Sequence, residues 1–139
     1  MARRVLVDSG PVVALLNRRD FHHSWAKREL ANLTDPLVTC EAVLSEVFFL
    51  LARIQNGTST LISFIHDGFV LSDSSFSFAI EAGEILQHLE RYSAVPMSFA
   101  DACLVRMCEI EDSIIFTTDR DFLTYRRHRR QPIPLISPF

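Results

Sequence analysis

The chain has 139 residues, 48% of them apolar, and a formal net charge of −3. That length predicts one domain, residues 1–139, with enough apolar content for a core without staples. The charge excludes a uniformly basic nucleic-acid binder, and three scattered cysteines exclude a disulfide framework.

The start, Val5-Leu6-Val7-Asp8, is too short in its apolar part for a secretory signal and predicts a buried strand over 3–7. Ser9-Gly10-Pro11 turns the chain into a short helix over 12–17. A second helix is expected over 23–33 and a second strand over 36–39. An apolar helix follows from Cys40 or Glu41 to Arg53, closed by Asn56-Gly57. Thr58 would cap a helix to His66. After the brief apolar run Phe69–Leu71, Ser74 or Ser75 would cap a long helix to Tyr92. Its expected inner face is Phe76, Ala79, Ile80, Gly83, Leu86 and Leu89. Ser98 would cap a helix to about Glu109. A strand is expected over 114–117, a helical turn over 121–125 and an edge strand over 132–136, its prolines unable to donate to a ladder. Short apolar strands alternating with helices predict an α/β fold with a mainly parallel sheet covered on both faces. No segment is long and apolar enough for a membrane span, and a cytoplasmic protein is expected.

Four acids stand where an isolated carboxylate is hard to place. Asp8 ends the first strand, and Asp119 follows Ile114–Thr118. Glu46 lies in a window, 42–52, where nine of eleven residues are apolar, and Asp101 opens Ala102-Cys103-Leu104-Val105. Buried carboxylates need a counter-charge or change their pKa. Strand ends in open α/β sheets gather ligand-binding groups at one edge. Four carboxylates at such an edge suit a hard, oxygen-liking cation, Mg²⁺ or Mn²⁺, and metal-dependent phosphoester hydrolysis. Each acid also has a plainer role. Asp8 suits a turn or cap, Asp101 a helix dipole, Asp119 a cap, and Glu46 an ion pair with Arg53 or Arg106. Ser9, Thr117 and Asp121 are secondary candidates, through a water, a carboxylate or a fifth acid position.

Other chemistries find less. The glycines are too scattered for a phosphate-cradling loop. His22 and His23 are adjacent and face apart, so zinc is not expected, and Cys40, Cys103 and Cys108 suit the core. Arg126-Arg127-His128-Arg129-Arg130 holds four of the fourteen Lys and Arg residues, as a phosphate-contacting patch or a solvated loop.

The segments 5–16, 37–47, 97–102 and 115–122 resemble, in order, the four acidic segments of the PIN-domain family, in particular its VapC-type ribonuclease toxins. The resemblance spans nearly the whole chain and implies a three-layer α/β/α sandwich with Mg²⁺- or Mn²⁺-dependent endoribonuclease activity. It assigns the metal site to Asp8, Glu46, Asp101 and Asp119, with Asp8 and Asp101 holding metal directly and the others through water. It also implies an RNA substrate, a homodimer and a cognate antitoxin that fills the active-site groove. Two alternatives stand beside this reading. One is a catalytically silent PIN-like module that binds protein or RNA. The other is a phosphatase with Asp8 as nucleophile, although Gly10 stands where such enzymes carry a second aspartate.

Overall fold

The computed structural model describes residues 3–139. Strand β1, Arg4–Val7, turns directly into helix α1, Ser9–Leu16, and α2, His23–Ala31, leads into β2, Leu37–Thr39. Helices α3, Glu41–Leu51, and α4, Gly57–His66, precede β3, Val70–Ser72. Helices α5, Phe78–Arg91, and α6, Phe99–Ile110, precede β4, Ser113–Phe116. A 3-10 turn over Arg120–Leu123 follows. The chain ends with β5, Arg126–Arg127, β6, Gln131–Pro132, and β7, Leu135–Ile136.

Five strands form one parallel sheet in the order β3-β2-β1-β4-β7. The chain steps outward from β1 through β2 to β3, then returns across the sheet to lay β4 on the other side of β1. The β1/β4 boundary is therefore the topological switch point, where the carboxyl ends of strands leave a crevice. Helices α1 to α4 pack among themselves and α5 packs on α6, giving the three-layer α/β/α sandwich. Contact between α3 and α6 brings the two helix groups together. Leu6, Val7, Leu37, Ile115 and Phe116 from the strands are fully buried against Val43, Val47 and Leu51 of α3 and Leu104, Val105 and Met107 of α6. The three cysteines are buried and unpaired, as small core residues should be. Among the described residues no helix is long and apolar enough to cross a membrane.

Several expectations need correction. Helix α1 begins at Ser9, not Val12, because Asp8 caps it by accepting from the Ser9 N–H at 2.8 Å. Asn56-Gly57 does not merely end α3. Asn56 adopts φ 60° at the cap position of α4, and Gly57 is the first residue of that helix. The long helix starts at Phe78 rather than near Ser75, and its inner face is rotated from the expected one. Ile85 and His88 are buried, whereas Ile80 is 77% and Leu86 49% exposed. A buried His88–Glu109 pair at 2.8 Å holds this face to α6.

The expected final edge strand is split in two. Gln131–Pro132 pairs antiparallel with Arg126–Arg127, while Leu135–Ile136 runs parallel to β4. His128 and Arg129 make the hairpin turn at φ 50° and 71°. The arginine cluster thereby divides. The Arg126 guanidinium donates to the carbonyls of Leu123, Thr124 and Tyr125, and Arg127 pairs with Asp112. Arg129 and Arg130 are exposed.

Candidate active site

The carboxyl ends of β1 and β4 are laced together by one short network. The Asp8 N–H donates to the Phe116 carbonyl at 3.0 Å, fixing where β1 stops. The Thr117 hydroxyl donates to Asp8 Oδ2 at 2.8 Å and accepts from the Asp119 N–H at 3.0 Å. Thr117 is fully buried, so this hydroxyl serves a carboxylate and a backbone amide at once. Gly10 lies where α1 meets the end of β4, and a Cβ there would run into the Thr118 hydroxyl. From the other side, the Ser9 hydroxyl donates to Glu46 Oε1 at 3.3 Å, tying α1 to α3.

Asp101 arrives from α6. Ser98 accepts from the Asp101 N–H at 3.0 Å, and the Asp101 carboxylate reaches back to the Ser98 N–H at 3.5 Å, so the two form a capping box. The Tyr125 hydroxyl donates to Asp101 Oδ2 at 3.0 Å inside the core. Nothing in the sequence reading singled out Tyr125. The available signal was a tyrosine just after the acidic turn Asp119–Asp121, whose hydroxyl needs a partner if the ring is buried. Asp119 caps the 3-10 turn by accepting from the Asp121 N–H at 2.9 Å. Asp121 is half-buried there and lies close enough to Tyr125 to act on its hydroxyl electrostatically.

Asp8 and Asp119 thus do act as caps. Asp101 stands in the first turn of α6, where its charge complements the helix dipole and it also completes a capping box. These roles coexist with the clustering. Local donors occupy one or two oxygens of each acid. Among the described residues no protein donor reaches Asp101 Oδ1, Asp119 Oδ2 or Glu46 Oε2. The alternative role for Glu46, as the partner of Arg53 or Arg106 in an ion pair, is not taken up. Arg106 is held by Glu81 at 2.7 Å and Glu109 at 3.3 Å, and the Arg53 guanidinium lies over the Phe49 ring. Glu46 is half-buried rather than sunk in the core. None of the four acids has a basic partner among the described residues.

The electrostatic result is plainest at Asp8. Desolvation, then the Asp101 charge, push its carboxyl up to about 7 against the bonds from Thr117 and Ser9, and Glu46 adds to the rise. Burial also raises Asp101, opposed by the Tyr125 bond and helped by the Asp119 charge. Burial and Asp101 together push the Tyr125 phenol well above its usual range, so it remains a donor. Asp8 therefore senses Asp101 and Glu46, and Asp101 senses Asp119: the four acids share one electrostatic neighbourhood at the switch point.

The donor set fits a hard cation, being all oxygen, short of positive charge and partly unsatisfied. Among the described residues no three His, Cys, Asp or Glu side chains stand close enough together to enclose an ion as they are. Mg²⁺ does not require that, since one or two carboxylates and several waters commonly hold it. The larger surface cavities, of about 580 and 660 Å³, lie elsewhere on the molecule.

Comparison with known proteins agrees with this architecture. The model of one protein family, the PIN domain, matches residues 5–127. VapC20 of Mycobacterium tuberculosis, a sarcin–ricin loop cleaving toxin, superposes with a TM-score of 0.75 at 23% identity, over 92% of this chain and 99% of that one. VapBC2 from Rickettsia felis, solved bound to a DNA fragment from its promoter, gives a TM-score of 0.62 at 15% identity, over 96% of this chain and 97% of that one. At these identities the likeness establishes the fold. No curated protein matches the chain.

Proposed function

This chain belongs to the PIN-domain family, and on that premise we propose that it is a divalent-metal-dependent endoribonuclease, the toxin of a toxin–antitoxin pair, acting in the cytoplasm. The observation that carries the reading is the convergence of Asp8, Glu46, Asp101 and Asp119 on one sheet edge without a basic partner. Asp8 and Asp101 would hold Mg²⁺ or Mn²⁺ directly, with Glu46 and Asp119 acting through water. Once bound, such an ion supplies positive charge against a phosphodiester and acidifies water.

The chain's own residues do the positioning. Thr117 and the Ser9 N–H fix both oxygens of Asp8, and Tyr125 fixes one oxygen of Asp101. The Ser9 hydroxyl turns Glu46 toward the same edge. Asp8 holds its proton up to about pH 7 without a cation and would release it when a cation arrives, so binding should liberate protons near neutrality.

The test is cleavage of RNA by purified protein with Mg²⁺ or Mn²⁺. Asp8→Asn is expected to abolish cutting while the protein stays folded. Cutting that persists in that variant would overturn the role given to Asp8. If the wild type cuts no RNA and its melting temperature ignores both cations, the catalytically silent binding module is the better reading.

A homodimer and a protein inhibitor fit the surface. Phe49, Leu50 and Ile62 on α3 and α4, and Phe78, Ile80 and Leu86 on α5, are each at least 42% exposed. Apolar surface of that kind commonly marks protein contacts. Light scattering on the purified protein should give the dimer mass; a monomer at micromolar concentration would contradict it.

A further inference from the structure

Arg18 and Arg19 follow the end of α1, and Arg53 follows the end of α3. All three are exposed, and all three line one cavity of about 660 Å³. Asn17, Gln55 and Asn56 share its wall, and no acidic residue does. None of the three arginines makes an ion pair among the described residues. In a chain of net charge −3, three guanidiniums without a carboxylate partner, that of Arg53 lying over the Phe49 ring, make a local excess of positive charge from two different elements. One basic residue beyond a helix end would offset that helix's dipole. It would not explain the convergence of a second element on the same cavity.

The cavity belongs to the helix layer that holds one side of the candidate site. Helix α1 carries Ser9 at its start, and α3 carries Glu46. The two helices pack together. Eight residues of α1 span about 12 Å, which separates its carboxylate end from its arginine end. A polyanion lying along the α1–α3 layer would meet acids at one end and guanidiniums at the other.

We propose that the cavity lined by Arg18, Arg19 and Arg53 is a phosphate-binding subsite for the backbone of single-stranded RNA whose scissile phosphate lies at the Asp8 edge. The proposal rests on the ribonuclease reading and adds to it a surface that reads charge rather than sequence. Planar guanidiniums match phosphate oxygens bidentately, and the neighbouring side-chain amides add further donors. Contacts of this kind position a nucleic acid without specifying its bases.

The experiment compares the wild type with the triple variant Arg18→Ala/Arg19→Ala/Arg53→Ala. Binding of a fluorescent, mixed-sequence single-stranded RNA is measured in EDTA over a range of salt. Circular dichroism and melting temperature check folding. If the triple variant unfolds, Arg18→Gln/Arg19→Gln and Arg53→Gln are used in its place. For single strands the slope of log affinity against log salt carries about 0.7 per phosphate contact, so losing three contacts should flatten it by about 2. The RNA affinity should fall at least tenfold, with KM for cleavage raised and kcat unchanged.

An unchanged slope and affinity in a wild type that binds and cuts RNA would overturn the subsite alone. A wild type that neither binds nor cuts RNA would overturn the ribonuclease reading with it. A variant that keeps its RNA slope but loses binding to a Glu/Asp-rich peptide would assign the cavity to a protein partner and overturn the proposal.

Discussion

Replacing Asp8 by Asn should stabilise the metal-free protein at neutral pH, although it removes a buried carboxylate that accepts two hydrogen bonds. The folded carboxyl titrates at about 7 and the unfolded one near 3.8. Between these values the folded chain binds more protons than the unfolded chain, so stability falls as pH rises. At about 1.36 kcal/mol per pKa unit, ionised Asp8 destabilises the folded state by about 4 kcal/mol above pH 7, and about 3 kcal/mol of that is lost between pH 5 and pH 8. Asparagine stays neutral and keeps one acceptor for the Ser9 N–H. Disturbing the Thr117 bond costs about 1 kcal/mol. Urea unfolding in EDTA at several pH values reads the effect, because the two proteins differ in this one titrating group. At pH 8 the variant should be more stable by about 2–3 kcal/mol, and the difference should shrink toward zero at pH 5. Millimolar Mn²⁺ should stabilise the wild type and leave the variant unmoved. A wild type with flat stability from pH 5 to 8, or a variant less stable at pH 8, would refute the reasoning.

Three further outcomes follow from the same geometry. Tyr125→Phe removes the donor to Asp101 and should cost about 1–2 kcal/mol in urea unfolding, while making stability fall more steeply with pH as Asp101 loses its stabilising bond. An unchanged profile would show that the bond is not made. Ser98→Ala removes the α6 cap, and a loss of about 1 kcal/mol is expected; no loss would mean that another group satisfies the Asp101 N–H. Glu46→Gln should leave metal-free stability within about 0.5 kcal/mol, because Glu46 has no basic partner, yet weaken Mn²⁺ binding in calorimetry. Marked destabilisation without metal would point to an unrecognised ion pair.

The candidate site was legible because each acid interrupts an apolar run or ends a strand, and strand ends in a parallel sheet share one edge. Ser98 was legible for a local reason: a cap and its third-position acid are set by neighbours in sequence. Tyr125 was not legible, since its reason for being in the core is a carboxylate 24 residues away in α6. The inner face of α5 failed for a related reason. Periodicity chose the most apolar stripe, Ile80 and Leu86 included. The sandwich instead buries Ile85 and His88, because His88 finds Glu109 across the helix pair. The terminal arginines read as one charge block. The hairpin divided them by handing Arg126 to backbone carbonyls and Arg127 to Asp112. For Tyr125, His88 and Arg127 a partner distant in sequence overrode a local pattern.

Whether the four acids grip one cation is tested most directly by a crystal structure of the protein soaked in Mn²⁺, with the ion located by its anomalous signal. An anomalous peak between Asp8 and Asp101, with Glu46 and Asp119 reaching it through water, is the expected result. A fully soaked crystal with no peak at that edge, or with manganese held elsewhere, would contradict it.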